Sequence, residues 1–284
     1  MQDFYIFLIY ENLFLKKCEK NMFSFIFLII FVISWYYFII IFPIKIIGFF
    51  IGFVCSILIS WLINFLLLFI SLGYIKNKPI NNVYHLKIVQ SFSKLIVRFF
   101  CIKISVYNYH LIPLDNRLVI YTNHKSNFDP FIIASIFPRP ITFTPKDDLY
   151  NNFWYGWFLS FCFDATHCIK ISRNNNRDNL KALEKAKEII QNKLAVLIFP
   201  EGGIINPSSD NIAQSLDGAY KISIQNQADI LPITCKGVCK ICGKCWFRIK
   251  KVKILIHPSI SYSDYKGKKT SQINHEVINI INSV

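Results

Sequence analysis

The stretch Leu118-Val-Ile-Tyr-Thr-Asn-His-Lys-Ser-Asn-Phe-Asp-Pro130 places an apolar run, a polar segment and the start of a second apolar run in direct succession. Leu118 to Thr122 has the length and composition of a short buried strand. Asp129 followed by Pro130 is typical of a helix start, with Asp as the N-cap and Pro at the first helical position. We therefore predict a strand, a polar loop and a helix that continues to Phe137.

Strand and helix patterns alternate through the rest of the chain. Further buried strands are predicted at Leu194–Phe199, Ile230–Cys235 and Val252–Ile256. One helix is predicted at Asp178–Asn192, with an apolar side made of Leu180, Leu183, Ala186, Ile189 and Ile190. A closing amphipathic helix is predicted from Ile273, Val277, Ile280 and Val284. This alternation favours an α/β fold with a largely parallel sheet flanked by helices, in which ligands bind beyond the carboxyl ends of the strands.

The N-terminal part of the chain is almost free of charge. From Asn21 to Ile75 the only charged residue is Lys45. Apolar helices at about 22–44 and 46–75 are each long enough to span a bilayer, and Pro43 with Lys45 marks a break between them. These features predict a two-helix membrane hairpin, which either spans the bilayer or dips into one leaflet. A cleaved signal peptide is disfavoured because the apolar run continues far beyond a signal core.

The remainder of the chain is strongly basic. The net charge is +15, and residues 76–284 hold 28 basic and 14 acidic residues, a surplus of +14. We therefore divide the chain into a membrane anchor, residues 1–80, and a second domain, residues 81–284. The lysines that flank the hairpin are Lys16, Lys17, Lys20, Lys76, Lys78 and Lys87. They predict that both ends of the hairpin face the cytoplasm, and the surplus suits an anionic lipid surface or a phosphorylated ligand rather than nucleic acid, for which no reading motif is present.

His124 and Asp129 lie in the polar loop that follows the first predicted strand. If the loop turns back, the carboxylate can hold one imidazole nitrogen while the other takes a proton from an attacking hydroxyl. An alcohol is a poor nucleophile at neutral pH, so its attack on a substrate requires such a base. Taken alone, the pair also fits a loop histidine followed by a helix-capping aspartate.

Three further segments extend the pattern. Phe199-Pro-Glu-Gly-Gly203 ends the second strand, Ile169-Lys-Ile-Ser-Arg173 lies between the two motifs, and Leu231-Pro-Ile-Thr-Cys-Lys-Gly237 forms a later strand. In order and spacing, the four segments resemble the sequence blocks of the glycerolipid acyltransferases, the family of 1-acylglycerol-3-phosphate acyltransferase. The resemblance covers roughly residues 85–240. It extends to residues 146–173, which contain Gly156-Trp157.

The resemblance implies an acyl-CoA-dependent transfer of a fatty-acyl group to the free hydroxyl of 1-acyl-sn-glycerol-3-phosphate, giving phosphatidic acid. His124 would be the general base and Asp129 its orienting partner. The residues implied to bind substrate are Arg173, Glu201, Gly202, Gly203, Lys146 and Lys170. Of these, Lys170 fits a solvated strand residue equally well. The acceptor would attack the thioester directly, so acyl-CoA is a co-substrate, and neither a metal nor another cofactor is expected.

Some positions depart from the family pattern. Gly203 and Ile204 stand where the third block usually has a hydroxyl residue and a basic one, His167 replaces a usual Gly, and Asp217 replaces a usual Lys before Gly218. Loss of the cation removes an expected phosphate contact. Glycerol-3-phosphate or another lysophospholipid therefore remains an alternative acceptor. A non-catalytic, membrane-anchored lipid-binding protein is a further alternative.

A cysteine cluster offers a competing site. Its spacing, Cys235-x3-Cys239-x2-Cys242-x2-Cys245, resembles that of metal ligands. Because Cys235 lies inside the fourth block, we expect reduced thiols on a cytoplasm-facing loop, with a structural zinc as the alternative. The expected location is the endoplasmic reticulum membrane with the catalytic domain in the cytoplasm, or the membrane of a plastid-like organelle.

Overall fold

A computed structural model describes residues 21–80, 82–171, 176–241, 245 and 247–284, without the side chains of 176–179. It begins with two long helices, α1 (Met22–Ile41) and α2 (Lys45–Lys76). By length and composition, both could cross a membrane. The predicted helices at 22–44 and 46–75 are therefore present, with Lys45 as the first residue of the second helix.

The two helices form an antiparallel hairpin. Near its tip, a Cβ on Gly52 would lie only 2.5 Å from the Cβ of Phe38, so this close approach requires glycine. Trp35 Nε1 donates to the carbonyl oxygen of Phe49 at 2.9 Å. Lys45 Nζ reaches back to the carbonyl oxygen of Ile40 at 2.8 Å and satisfies the end of α1.

Helix α3 (Val83–Phe99) connects the hairpin to the rest of the protein. At the base of the hairpin, the ring of Phe99 contacts Trp61 at 4.9 Å and Phe27 at 5.7 Å between ring centroids. Phe23 is fully buried against Phe92 of α3. An apolar cluster thus joins α1, α2 and α3, and it also includes residues of α5 (Gly156–Ala165).

A six-stranded sheet forms the centre of the domain. Its strands are β1 (Ile102–Tyr107), β2 (Leu118–Thr122), β3 (Ile141–Phe143), β4 (Ala195–Ile198), β5 (Asp229–Lys236) and β6 (Lys250–Ile256), in the order β1-β6-β5-β2-β4-β3. The four strands β5, β2, β4 and β3 are parallel, as predicted. Strand β6 is antiparallel to β5 and parallel to β1. The described residues between β5 and β6 form no crossover helix, which a parallel pairing of these strands would usually need. The sheet is therefore mixed.

Helices cover both faces of the sheet. Besides α3 and α5, these are α4 (Asp129–Ile136), α6 (Asn176–Gln191), α7 (Lys221–Gln225), α8 (Tyr262–Tyr265) and α9 (Thr270–Asn282). One apolar core contains residues of α3, α4 and one sheet face, and a second contains residues of α6 to α9 and the other face. The prediction of an α/β fold flanked by helices is confirmed.

Three local predictions were wrong. Phe128, not Asp129, precedes the first turn of α4, because the Asp129 carboxylate is engaged by the preceding loop. Leu180 is 63% exposed, and Ala182 takes its place in the core. On α9, Ile281 is buried, whereas Val284 lies beyond the helix and is exposed. In each case the predicted helix is present, and the predicted position is wrong by one to three residues.

Candidate active site

The candidate site lies at the carboxyl edge of the parallel strands. Strand β2 ends at Thr122 and strand β4 ends at Ile198, and these strands are neighbours in the sheet. The loops that follow them therefore meet at one edge. One loop carries His124, and the other carries Glu201.

His124 and Asp129 form a hydrogen-bonded pair. The imidazole Nδ1 lies 3.0 Å from Asp129 Oδ2. The same oxygen accepts hydrogen bonds from the backbone amides of Lys125 (2.7 Å) and Ser126 (2.9 Å), and the carboxylate is fully buried. These amides hold the carboxylate in place, which in turn favours the His124 tautomer with a proton on Nδ1.

The imidazole ring is also held from one side. It stacks on Phe199, with ring centroids 4.1 Å apart and an interplanar angle of 20°. The His124 side chain remains 16% exposed. Within the part of the chain that the structure describes, Nε2 has no hydrogen-bond partner. The nitrogen opposite Asp129 is therefore open to a substrate hydroxyl.

Glu201 connects the two loops. Its Oε1 accepts a hydrogen bond from the His124 backbone amide at 2.8 Å, and its Oε2 lies 2.5 Å from Lys125 Nζ. Both charged side chains are fully buried. Burial raises the pKa of Glu201, while its hydrogen bonds from His124 and Lys125 oppose that shift. The pair ties the backbone of the proposed base to the end of β4.

Sequence reasoning missed Lys125. A lysine in a polar loop is ordinarily solvated, so its charge type and position carried no signal of burial. In the folded protein it lies opposite a glutamate that is 76 residues distant in sequence. Only the fold brings the two together.

Asn123 fixes the neighbouring strand ends. Its Nδ2 donates to the carbonyl oxygens of Cys235 and Asp210, both at 2.8 Å, and its Oδ1 accepts from the Cys235 amide. The Asp210 carboxylate accepts in turn from the amides of Gly237 (2.6 Å) and Cys239 (3.0 Å). Three loops around the site are thus locked to one another. The sequence analysis assigned no role to Asn123 or Asp210.

The glycines predicted to shape the site lie in a tight turn. Gly202 has φ +65°, and its amide donates to the carbonyl oxygen of Phe199 at 2.9 Å. Gly203 is buried, and Ile204 after it is 37% exposed. The left-handed backbone at Gly202 favours glycine and turns the chain back beside His124.

The predicted cations are only partly described. Lys146 follows β3, and its backbone forms an isolated parallel β-bridge with Ile171. This bridge lies beyond the carboxyl end of β3. Lys170 is exposed, with its Nζ 4.8 Å from the centroid of the Tyr150 ring. Lys170 is therefore solvated but lies outside the strands, and its role in substrate binding stays a prediction. Arg173 lies outside the described residues.

The cysteine cluster is dispersed where it is described. Cys235 is buried in the core beside Thr122, and burial raises its pKa to about 12. Cys239 is half-buried and Cys245 is exposed, while Cys242 lies outside the described residues. In the described ranges, no group of three or more His, Cys, Asp or Glu residues is placed to hold a metal ion. The state of these thiols stays a prediction.

Comparison with known proteins finds a match over the region that carries this site. Residues 103–236 match the family model described as Acyltransferase. In this region the chain is similar to that family. The matched region includes the dyad, Glu201 and the strands that position them.

Named relatives of this region come from different organisms. A Mycoplasma pneumoniae protein named probable 1-acyl-sn-glycerol-3-phosphate acyltransferase is 30% identical over 141 residues, which cover 48% of this chain and 50% of that protein. The 1-acyl-sn-glycerol-3-phosphate acyltransferase of Saccharomyces cerevisiae is 28% identical over 116 residues, covering 40% and 37% respectively. The match to the mycoplasma relative thus spans about half of that protein's length.

One solved structure shares the fold. The crystal structure of the 1-acyl-sn-glycerophosphate (LPA) acyltransferase PlsC from Thermotoga maritima superposes with a TM-score of 0.52. The match covers 77% of this chain and 93% of that one, at 19% identity. The similarity in fold therefore extends beyond residues 103–236.

Proposed function

We propose that the protein transfers a fatty-acyl group from acyl-CoA to the free hydroxyl of 1-acyl-sn-glycerol-3-phosphate, forming phosphatidic acid. The observation that carries this proposal is the His124–Asp129 pair, with a buried, amide-bound carboxylate and an open Nε2. The names of the relatives support the acceptor. A non-catalytic lipid-binding protein would have no need of a dyad held in this way.

The proposed reaction is a direct displacement. Asp129 keeps the proton of His124 on Nδ1, so that Nε2 takes the proton of the acceptor hydroxyl as its oxygen attacks the thioester carbonyl carbon. The carbon–sulfur bond then breaks. His124 returns the proton to the leaving thiolate, which gives free coenzyme A. No acyl-enzyme forms, and no cofactor enters a step.

The acceptor phosphate requires cations near the dyad. We assign this role to Arg173, with Lys146 as the auxiliary cation and with Gly202 and Gly203 lining the site. Ile204 supplies no charge where the family pattern leads one to expect a cation. Charge-assisted hydrogen bonds to phosphate each contribute about 1.5–3 kcal/mol, so Arg173 carries most of the recognition.

The hairpin would deliver the domain to its lipid substrate. Large apolar side chains on both helices are exposed, among them Ile33 (65%) and Leu62 (71%). Such a surface is stable in hydrocarbon rather than in water. We propose that residues 1–80 anchor the protein in a membrane, that of the endoplasmic reticulum or of a plastid-like organelle, with residues 81–284 in the cytoplasm.

An acceptor panel tests the proposal. The purified full chain in detergent is given acyl-CoA with lysophosphatidic acid, glycerol-3-phosphate or lysophosphatidylcholine. We expect lysophosphatidic acid to exceed glycerol-3-phosphate by more than about tenfold in kcat/KM, because only the former is concentrated with the enzyme at an interface. A preference for glycerol-3-phosphate would refute the acceptor, and the absence of transfer to every acceptor would refute the activity.

A further inference from the structure

A turn at the start of helix α5 exposes four aromatic side chains to the surroundings. Phe153 is 88% exposed and Trp154 is 82% exposed, and Tyr155 and Trp157 are exposed as well. Rings of this size are buried on average in folded proteins, and an adjoining group of exposed ones marks an interaction surface. We call these four residues the aromatic turn.

Hydrogen bonds of the backbone order the aromatic turn. The side-chain oxygen of Asn152 accepts from the amides of Trp154 at 3.0 Å and Tyr155 at 3.4 Å. The amide of Gly156 donates to the carbonyl oxygen of Asn152 at 2.8 Å. A Cβ on Gly156 would lie only 2.6 Å from the carbonyl oxygen of Tyr150, so this backbone path requires glycine. The exposed rings are therefore displayed by a defined turn.

Helix α5 runs along α2 in the same direction. Phe158 of α5 contacts Phe65 of α2, with 6.3 Å between ring centroids, and Phe161 contacts Phe69 at 4.3 Å. Residue numbers thus increase together along the two helices. The N-terminal end of α5, which carries the aromatic turn, therefore points toward the tip of the hairpin.

The length of α2 sets the level of the aromatic turn along the hairpin. From Lys45 at the tip to Phe65, α2 rises roughly 30 Å at about 1.5 Å per residue, which is about the thickness of the hydrocarbon core of a bilayer. Exposed Leu58 and Leu62 lie on the tip side of Phe65. A hairpin that spans the core would therefore leave the hydrocarbon near Phe65, beside the aromatic turn.

We propose that the aromatic turn inserts into the interface of the bilayer that receives the hairpin, between the lipid headgroups and the acyl chains. This inference rests on the membrane attachment in the proposed function. Tryptophan and tyrosine rings are enriched at this boundary because they combine an apolar ring with a polar group. Exposed Asp148 and Lys170 near the turn have opposite charges, so charge favours no particular headgroup. The surface of the turn adjoins the exposed apolar surface of α2.

Insertion would give the protein a second attachment to the bilayer, outside the hairpin. The segment that carries the aromatic turn leaves the carboxyl end of β3. Strands β2 and β4 end at the same edge of the sheet, where His124 lies. Two separate attachments define an orientation that one hairpin leaves free to rotate. The inserted turn would therefore keep the edge that carries His124 toward the lipid that contains the acceptor.

Site-specific photo-cross-linking tests the proposal on the full chain. A benzophenone amino acid replaces Phe153 or Trp157, and the control position is Leu114, which is 61% exposed before the amino end of β2. In phosphatidylcholine nanodiscs, we expect lipid adducts at 153 and 157 to exceed those at 114 by about fivefold or more. The adducts should persist in roughly 1 M salt, because the contact is apolar. Equal yields of lipid adduct at all three positions overturn the proposal.

Other occupants of the aromatic turn would give different adducts. Cross-links between two copies of the chain, without lipid adducts, would assign the turn to self-association and overturn the proposal. Adducts with added acyl-CoA in place of lipid would assign it to the acyl donor and overturn the proposal as well. Cross-linking needs no acyl transfer, so an active protein without lipid adducts refutes only the insertion. An inactive protein with lipid adducts refutes only the proposed function.

A matched pair of variants tests whether the rings themselves cause the insertion. With the cross-linker at 153, Trp154→Gln combined with Trp157→Gln should lower the yield of lipid adduct by about fivefold or more, because two interfacial rings are lost. Tyr107→Gln combined with Leu114→Gln, at exposed positions near the amino edge of the sheet, should leave the yield unchanged. The Tm of each variant shows that it is folded. An unchanged yield in the folded tryptophan variant overturns the proposal.

Discussion

The Asp129 carboxylate shows how the site is built at the scale of single residues. One of its oxygens binds an imidazole and two backbone amides while fully buried. The dyad is therefore organised by the loop that carries it, before any ligand arrives. Glu201 is a second buried carboxylate held in a similar way. It accepts hydrogen bonds from a backbone amide and from the ammonium group of Lys125.

The buried Lys125–Glu201 pair makes a direct prediction. Lys125→Met keeps the side-chain length but leaves the Glu201 carboxylate buried without a cation, which costs about 3–5 kcal/mol. Thermal unfolding in detergent should show a clear loss of Tm, and Glu201→Gln added to this variant should recover part of it. Lys187→Met, at an exposed lysine, is the control. A Lys125→Met variant as stable as this control would contradict the structural role of the pair.

The backbone at His167 explains why the family pattern usually has glycine at this position. Its φ is +55°, in the left-handed region where glycine is favoured, so the usual Gly of that block suits the backbone better. The His167 ring stacks on buried His85 at 5.9 Å between centroids. His85 Nε2 lies 3.2 Å from the carbonyl oxygen of Thr166, which favours the neutral tautomer with its proton on Nε2.

Stability should depend on pH through His85. Burial lowers its pKa from 6.5 to about 4, with the hydrogen bond to Thr166 opposing the shift. Between pH 6.5 and about 4 the unfolded chain binds more protons than the native one, so stability falls as the pH is lowered, by up to about 3 kcal/mol. We expect His85→Gln to flatten this part of a Tm-against-pH curve, while His110→Gln, at an exposed histidine, leaves it intact. Parallel curves for all three proteins would show that His85 does not titrate in this way.

At the scale of elements, the close packing of α1 against α2 depends on glycine. A Cβ on Gly52 would lie 2.5 Å from Phe38, whereas one on Gly73 of the same helix would lie 3.8 Å from its nearest neighbour. Overpacking of this kind costs about 1–3 kcal/mol, while Gly→Ala in an open helix position gains up to about 1 kcal/mol. Gly52→Ala should therefore lower the Tm in detergent, and Gly73→Ala should not. The opposite order would contradict the hairpin packing.

Local patterns predicted most elements, and their errors have physical reasons. Strand β2, the polar loop and α4 were predicted because each depends on residues that are neighbours in sequence. His124 and Asp129 were predicted as a pair because they are only five residues apart. The antiparallel direction of β6 depends on the path of the segment that joins β5 to β6. The hydrophobic pattern of a strand does not predict that path. The capping role expected of Asp129 failed because His124 and two loop amides engage its carboxylate instead.

At the scale of the whole molecule, the base of the hairpin and the dyad lie near one edge of the sheet. The ring contacts of Phe99 fix the hairpin at the start of β1, and the parallel strands bring His124 to the same edge. This arrangement could not be predicted from the sequence, because it depends on the order of six strands. It places the proposed chemistry beside the proposed membrane surface.

The central claim is that His124 is the general base of acyl transfer. The direct measurement is turnover of acyl-CoA with lysophosphatidic acid by wild type, His124→Ala and the control His110→Ala, with Tm recorded for each. A positioned base contributes about 10²–10⁴-fold, so His124→Ala should lose at least about a hundredfold in kcat with little change in Tm. His110→Ala should match wild type. Near-normal turnover by a folded His124→Ala protein would contradict the account.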